Sequence, residues 1–223
     1  MAKKYFDKEL FRFLSDLKKN NNRDWFQANK MRYENHVKGP MLAFIADFAP
    51  QLQKVHPRFV ADPKPVGGSM FRIYRDVRFS EDKSPYKTMA SAHFKHHKAG
   101  KDVHVPGFYL HLEPGKCFTA SGIWHPDAPT LLAIRNAIVK RPEQWKKLRK
   151  KIPLEGDKLT RPPKGFPCDH PYMEDLKHKD FVTSAKFSEA QVCSAEFMGE
   201  LTATYKKMLP LMEFLVTSLG LPW

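Results

Sequence analysis

The segment from Met70 to Lys87 combines the hydrophobic spacing of a β-strand with a high density of charge. Apolar side chains recur from Met70 to Phe79 in a way that predicts a strand. The same region carries five cations and three anions, namely Arg72, Arg75, Arg78, Lys83 and Lys87 against Asp76, Glu81 and Asp82. Because a charged group in apolar surroundings needs a partner, the pattern predicts internal ion pairs with cations left over.

An uninterrupted strand over residues 70–79 would place alternate side chains on opposite faces of a sheet. Arg75 would then point among apolar residues, where it requires a carboxylate or a ligand anion, unless a bulge turns it outward. The other face would gather Arg72, Tyr74, Asp76 and Arg78, with Tyr109, His111 and Glu113 on another strand as neighbours.

Arginine forks bind phosphate or carboxylate through paired hydrogen bonds, so this surface is a candidate site for a small anionic ligand. The candidate ligand-binding residues are Arg72, Arg75, Asp76, Arg78, Asp82, Lys83, Tyr86, Lys87, Tyr109 and His111. The alternative is architectural, since an ion-pair network of Arg75, Arg78, Asp76 and Asp82 would order the loop that follows. The sequence does not decide whether the protein is an enzyme, because it contains no recognisable catalytic apparatus.

The order of predicted elements indicates the α+β class, with helices before and after a central, mostly antiparallel sheet at about residues 70–125. Strands are predicted at residues 70–79, 89–96, 107–113 and 116–124, with a further strand at 181–187. A turn is expected at Glu113-Pro114-Gly115-Lys116, and a helix should stop near the Arg141-Pro142 junction, where a basic helix begins. Asp7 should cap the first helix, Pro40 should open the third, and Pro50 should bend or end it. Ser188 and Gln191 form a capping box expected to start a long final helix. With 223 residues, 42% of them hydrophobic, the chain should form one domain over residues 1–223.

The net charge of +14 favours polyanionic partners such as nucleic acid. Much of this excess lies in residues 140–151, where seven cations oppose Glu143 alone. Trp145, Leu148 and Ile152 recur there at helical spacing, which predicts an amphipathic helix with a basic outer face. That face is either simply solvated or a sequence-independent nucleic-acid surface, an alternative to the small-anion site.

Several classes of site are not expected. No apolar run approaches the length of about 20 residues that spans a bilayer, so we expect a cytoplasmic protein without a membrane partner. The three cysteines lie far apart in sequence and indicate neither disulfides nor a C-x-x-C site. Phosphate-loop and dinucleotide signatures are absent, so we expect no cofactor. The histidines around H-x-x-H-H, at residues 93–97, and His104 would send neighbouring rings to opposite faces of a strand, so we expect no metal site.

The charged segment reads R-x-x-R-D-x-R-F-S-x-D-K-x-P-Y-K, and this pattern resembles the signature of a bacterial and fungal family classified only as a domain of unknown function. The similarity extends through Asp24-Trp25-Phe26, Gly107-Phe108-Tyr109, Gly122-Ile123-Trp124, Arg135 and Lys164-Gly165-Phe166, and so covers nearly the whole chain. The resemblance implies a single-domain α+β protein without an assigned reaction.

Overall fold

The computed structural model describes residues 3–99 and 105–223. They form an α+β structure around a four-stranded antiparallel sheet whose strands follow one another in the order β1-β2-β3-β4. The strands are β1 (Ala90–Lys95), β2 (Gly107–Leu112), β3 (Cys117–Ile123) and β4 (Phe181–Phe187). The helices are α1 (Lys8–Lys19), α2 (Arg23–Ala28), α3 (Lys30–Tyr33), α4 (Gly39–Val55), α5 (Ala128–Lys140), α6 (Pro142–Arg149), α7 (Met173–Leu176), α8 (Glu189–Val192) and α9 (Phe197–Ser218).

The chain forms two compact units. Unit 1 comprises Met1–Phe94, Tyr109–Thr119 and Ala185–Thr204. Unit 2 comprises Lys95–Phe108, Ala120–Ser184 and Tyr205–Trp223. The α+β class and the long C-terminal helix are confirmed, whereas the single domain stays a prediction. Within the described ranges, no helix has the length and apolar content that crossing a membrane requires.

Unit 1 begins with helices whose ends follow from short-range side-chain chemistry. The Asp7 carboxylate accepts hydrogen bonds from the backbone N–H groups of Glu9 and Leu10, as predicted for an N-cap. Helix α1 ends at Lys19, and the Asn22 side chain caps α2 by accepting a bond from Trp25 N. The core beside these helices is aromatic, with the Phe44 ring 5.3 Å from Phe6 and 5.6 Å from Phe48.

The third predicted helix differs from its sequence interpretation. A π-helical segment, Glu34–Lys38, connects α3 to α4, and Pro40 lies in the first turn of α4. Helix α4 continues through Pro50 to Val55, so of the two predicted effects of this proline the end of the helix is wrong, and the bend stays a prediction. The buried face of Phe44, Phe48 and Leu52 continues past the proline, and this packing compensates for the backbone hydrogen bond that proline cannot donate.

Unit 2 has its own hydrophobic core around Trp145 in α6. The fully buried Trp145 ring packs with its centroid 4.8 Å from that of Phe214, and its indole N–H donates to the Asp175 carboxylate over 2.8 Å. Leu148 and Ile152 are buried with it, which confirms the predicted apolar face of the basic helix. Arg141 separates α5 from α6, where Pro142 begins the second helix as predicted.

The predicted strand over residues 70–79 is wrong. Only isolated antiparallel bridges occur, from Met70 to Ala92 and from Tyr74 to Tyr86. A few backbone bonds accompany these bridges, among them Arg75 N to Pro85 O and Lys87 N to Ile73 O. Side chains supply further partners: the Lys87 ammonium donates to Arg72 O over 2.9 Å and the Lys83 ammonium donates to Val77 O over 3.1 Å. The sheet therefore begins at β1 rather than near residue 70.

The C-terminal part of the sheet agrees with the prediction in one respect and differs in another. The strand predicted at residues 181–187 is present as β4, but it joins the central sheet beside β3, outside the predicted range of about 70–125. The capping box of Ser188 and Gln191 is present, but it caps the short helix α8. Helix α9 begins separately at Phe197 and runs through Pro210 to Ser218. The predicted turn from Glu113 to Lys116 is present: Lys116 N donates to Glu113 O, and Gly115 has φ 73°.

We expect Gly122→Ala to lower the free energy of unfolding by at least about 2 kcal/mol. Gly122 has φ 133°, and a Cβ there would lie 1.9 Å from the Phe181 carbonyl oxygen. Urea unfolding measures the effect. The matched control is Gly199→Ala in α9, where a Cβ meets no atom within 4 Å and alanine should stabilise the helix by up to about 1 kcal/mol. Equal midpoints for the two variants would contradict the prediction.

Candidate functional site

Tyr86 anchors the charged segment to the helices of unit 1. Its side chain is buried and its ring stacks on Phe26, with centroids 4.1 Å apart and an interplanar angle of 17°. The Asn21 carboxamide holds the same residue by its backbone, donating to Tyr86 O over 2.9 Å and accepting from Tyr86 N over 3.1 Å. Tyr86 therefore serves as a structural anchor, and its ring is not available as a ligand contact.

Arg75 closes the loop that precedes this anchor. Its backbone N–H donates to Pro85 O over 2.9 Å, and its guanidinium donates to the Asp82 carboxylate. The same guanidinium also donates to Ser84 O and to Ser80 Oγ, each over 3.3 Å. Because several donors of the fork are engaged within the loop, Arg75 is committed to loop structure.

Hydrogen bonds hold the Asp82 carboxylate in its ionised form. Ser84 donates through its hydroxyl over 2.5 Å and through its backbone N–H over 2.9 Å. These bonds, followed by the ion pair with Arg75, lower the pKa of Asp82 to about 2. The carboxylate that balances Arg75 therefore remains charged throughout the neutral range.

Arg78 and Asp76 form the second ion pair of the segment. The guanidinium donates Nε–H to Oδ1 over 2.9 Å and Nη2–H to Oδ2 over 2.7 Å. This two-bond contact is the main cause that lowers the pKa of Asp76 to about 2, and the charge of Arg72 contributes a smaller part. Arg78 also lies over the Phe79 ring, 5.8 Å from its centroid.

Arg72 and Lys87, unlike Arg75 and Arg78, form no ion pair with a carboxylate of the described residues. Arg72 is exposed, and its guanidinium makes no hydrogen bond or ion pair with the rest of the chain that the structure describes. The Lys87 ammonium donates to Arg72 O and lies 5.4 Å from the centroid of the Phe71 ring. Burial, and then the nearby charge of Arg72, lower the pKa of Lys87. The Lys87 ammonium thus lies at the backbone carbonyl of Arg72, and neither side chain forms an ion pair with a carboxylate of the described residues.

These side chains form a connected set that we call the cationic strip, made of Lys87, Arg72, Asp76 and Arg78. Arg72 acts electrostatically on both Lys87 and Asp76, so its charge lies within range of each. The strip contains three cations and one carboxylate, a surplus of two positive charges. Such a surface can attract an anion and bind it through a planar guanidinium and an ammonium group.

Tyr109 and His111 lie together in β2, in a polar relay with Glu113. The distance from Tyr109 Oη to His111 Nδ1 is 2.9 Å, and that from His111 Nε2 to Glu113 Oε2 is 3.1 Å. Burial lowers the pKa of His111 and raises that of Tyr109. A neutral imidazole fits this geometry if Nε2–H donates to Glu113 and Nδ1 accepts from the tyrosine hydroxyl.

The predicted site residues therefore separate into three groups. Arg72, Asp76, Arg78 and Lys87 form the cationic strip; Arg75, Asp82, Lys83 and Tyr86 build the loop; and Tyr109 and His111 belong to the relay. The Phe71 ring connects the strip and the relay, since it contacts both Lys87 and, 6.2 Å between centroids, Tyr109. The prediction that alternate residues form two faces is wrong here, because Phe79, expected to point inward, is 96% exposed.

None of these residues lines the cavity of about 380 Å³ found elsewhere in unit 1. Its lining combines two cations with two carboxylates and consists of Lys8, Phe11, Arg12, Ser15, Asp16, Pro114, Glu189, Ala190 and Cys193. Within residues 3–99 and 105–223, no three His, Cys, Asp or Glu side chains are gathered as metal ligands would be. His104 lies outside the described residues.

Comparison with known proteins identifies the family of this chain. The profile of the conserved hypothetical proteins DUF2461 matches residues 9–214. The chain belongs to the DUF2461 family. This assignment confirms the predicted resemblance to a family of unknown function, and the match includes the whole of the charged segment. No curated protein and no solved structure shows significant similarity to the chain.

Two residues that matter for the site were not among those predicted. The Asn21 side chain holds a residue that is 65 positions away. The Phe71 ring packs against the Lys87 ammonium, 5.4 Å from ring centroid to nitrogen. No sequence pattern near Asn21 indicates its contact with Tyr86. The cation–π contact of Phe71 and Lys87 also could not be predicted, because it depends on the path of the loop between them.

We expect Asn21→Ala to lower the free energy of unfolding by about 1 to 3 kcal/mol, because both backbone groups of Tyr86 lose their partner. Chemical denaturation measures the loss. Asn136→Ala, at an exposed position in α5, is the matched control and should be neutral or slightly stabilising, since alanine favours the helix. An Asn21 variant as stable as the parent would show that the Tyr86 contacts contribute little.

NMR titration of the Asp82 carboxyl should give a pKa of about 2. Ser84→Ala should raise this pKa more than Arg75→Gln, because the serine hydroxyl is the larger cause. A carboxyl with a depressed native pKa stabilises the fold above its unfolded pKa, and this stability is lost as pH falls toward the native value. Loop stability should therefore decline between about pH 4 and pH 2. A pKa unchanged in both variants would refute the assignment.

Proposed function

We propose that this protein binds a small phosphate- or carboxylate-bearing ligand at the cationic strip, with Arg72 and Lys87 as the principal contacts. The observation that carries the proposal is the placement of the Lys87 ammonium at the Arg72 backbone, with neither cation in an ion pair within the described residues. Lys87 reaches over the Phe71 ring to the carbonyl of Arg72, and burial, followed by the charge of Arg72, lowers the pKa of Lys87. A bound anion would relieve this repulsion, because it attracts both groups at once.

The same geometry gives the other arginines a supporting role. Arg75 and Arg78 already satisfy Asp82 and Asp76, so displacing those carboxylates would leave them without their hydrogen-bond donors. Arg75 instead fixes the loop before Lys87, and Arg78 orients Asp76 beside Arg72. Because Lys87 is already held by the Arg72 carbonyl before a ligand arrives, its side chain loses less entropy on binding.

Titration with inorganic phosphate, followed by NMR, tests the proposal. Shift changes should concentrate at Arg72 and Lys87, and the pKa of Lys87 should rise when phosphate binds, because the anion favours the ammonium form. The double variant Arg72→Gln with Lys87→Gln should weaken binding by about tenfold or more, as expected from the loss of charged hydrogen bonds.

The control removes the same charges at other positions. Arg161→Gln with Lys207→Gln replaces two exposed cations of unit 2 for which no partner is seen in the described structure, and it should leave phosphate affinity nearly unchanged. If both double variants weaken binding equally, the effect is one of net charge and the proposed site is wrong. The proposed site is also eliminated if the Arg72→Gln with Lys87→Gln variant binds phosphate as tightly as the parent.

Sequence-independent nucleic-acid binding by α6 is a second candidate, favoured by one specific observation. Five lysines from the end of α5 through α6 and the following turn are exposed and form no ion pair within the described residues, namely Lys140, Lys146, Lys147, Lys150 and Lys151. Arg149 differs because it pairs with Asp175. Such a face would bind phosphate backbones through charge alone.

The second candidate predicts binding to duplex DNA that weakens steeply with salt, because counterions are released on association. A fluorescence titration between about 50 and 200 mM salt measures the slope. Lys146→Gln with Lys147→Gln should reduce that slope by nearly two units relative to the parent. No detectable binding at the lower salt concentration would eliminate this candidate.

A further inference from the structure

We infer that the anion recognised by the cationic strip is the phosphate backbone of single-stranded nucleic acid, whose bases stack on Tyr74 and Phe79. This inference rests on the proposed function, because it assigns the phosphate to Arg72 and Lys87. Its independent support is the placement of two exposed aromatic rings along the same segment. Phe79 is 96% exposed and Tyr74 is 51% exposed.

The Phe79 ring continues directly from the cationic strip. Arg78 binds Asp76 through two hydrogen bonds and lies over the Phe79 ring, and Arg72 also acts on Asp76. A cation and an exposed aromatic face therefore lie side by side at this end of the strip. Single-strand binders combine these two elements, since cations contact the backbone while the bases stack on aromatic rings.

Tyr74 provides a second stacking surface next to Arg72. The two residues are separated by one position, so their Cα atoms lie within about 7 Å of each other. The inner side of the Tyr74 ring is supported by Tyr86 and Phe26, at centroid distances of 5.5 Å and 6.4 Å. One nucleotide could place its phosphate at Arg72 and its base against the outer face of Tyr74.

The loop that carries Phe79 is fixed on both sides of the ring. The Ser80 backbone N–H donates to Val77 O, the Lys83 ammonium reaches the same carbonyl, and Ser80 Oγ accepts from Arg75. Phe79 is thus exposed on a loop whose conformation is held by hydrogen bonds. A base stacked on the Phe79 ring would remove its apolar surface from water, and this burial would stabilise the complex.

Charge and geometry favour single-stranded nucleic acid over a protein partner or duplex DNA at this surface. A protein partner that buried Phe79 in an apolar pocket would also remove the surplus cations of the strip from water. This desolvation costs free energy unless the partner provides carboxylates that pair with the cations. Duplex DNA keeps its base faces stacked and offers none to Phe79 or Tyr74. The net charge of +14 also favours a polyanion.

The test measures fluorescence anisotropy of a labelled oligothymidylate of about 12 nucleotides with the full chain, beside the phosphate titration. Phe79→Ala should weaken oligonucleotide binding by at least about fivefold, the value expected for one stacked base, and leave phosphate affinity unchanged. Because Phe79 is almost fully exposed, the variant should fold normally. Val66→Ala, at another exposed apolar residue, should alter neither affinity.

The outcomes separate this inference from the proposed function. If Phe79→Ala binds the oligonucleotide as tightly as the parent, the single-strand inference is wrong, although phosphate binding dependent on Arg72 and Lys87 would remain. The inference is also overturned if thymidine monophosphate binds as tightly as the oligonucleotide, or if duplex DNA does so in the Lys146→Gln with Lys147→Gln variant, where the α6 face is weakened. If Lys146→Gln with Lys147→Gln abolishes oligonucleotide binding while the Arg72 and Lys87 variant retains it, the strand binds at α6. If every variant, including Arg72→Gln with Lys87→Gln, retains the phosphate affinity of the parent, the proposed function itself is refuted.

Discussion

The guanidinium of Arg75 organises the charged segment, because it joins the two sides of a loop that contains little regular structure. It contacts the Asp82 carboxylate, the Ser84 carbonyl and the Ser80 hydroxyl, while its backbone pairs with Pro85. A lysine could supply the charge but not several donors in fixed directions. The positions of Phe79 and Lys83 on this loop, and the approach of Lys87 to Arg72, depend on that closure.

Features governed by neighbouring residues could be predicted from the sequence. The Asp7 cap, the Arg141-Pro142 junction, the turn at Gly115 and the box of Ser188 with Gln191 are all present. Each depends on a side chain or a backbone preference that acts within a few positions. The α+β class followed from the order of these elements.

Features governed by distant residues could not be predicted in the same way. The alternation from Met70 to Phe79 indicated a strand, but hydrogen bonds from Lys83 and Lys87 occupy carbonyl groups that a sheet would need. Nothing near residue 181 shows that β4 pairs with β3. For the candidate site, the sequence indicated a charged segment with an excess of cations, whereas the division of its arginines between loop and strip required coordinates.

The contact of Asn21 with Tyr86 has a consequence for the order of folding. These residues are 65 positions apart, so the contact closes a long loop whose entropy cost must be met before the contact stabilises anything. Local helices such as α1 form on a faster timescale than a pairing of this span. The cationic strip and its loop should therefore be among the last parts of unit 1 to mature. A nascent chain that has not yet extended past Tyr86 would leave uncovered the face of Phe26 on which the Tyr86 ring stacks.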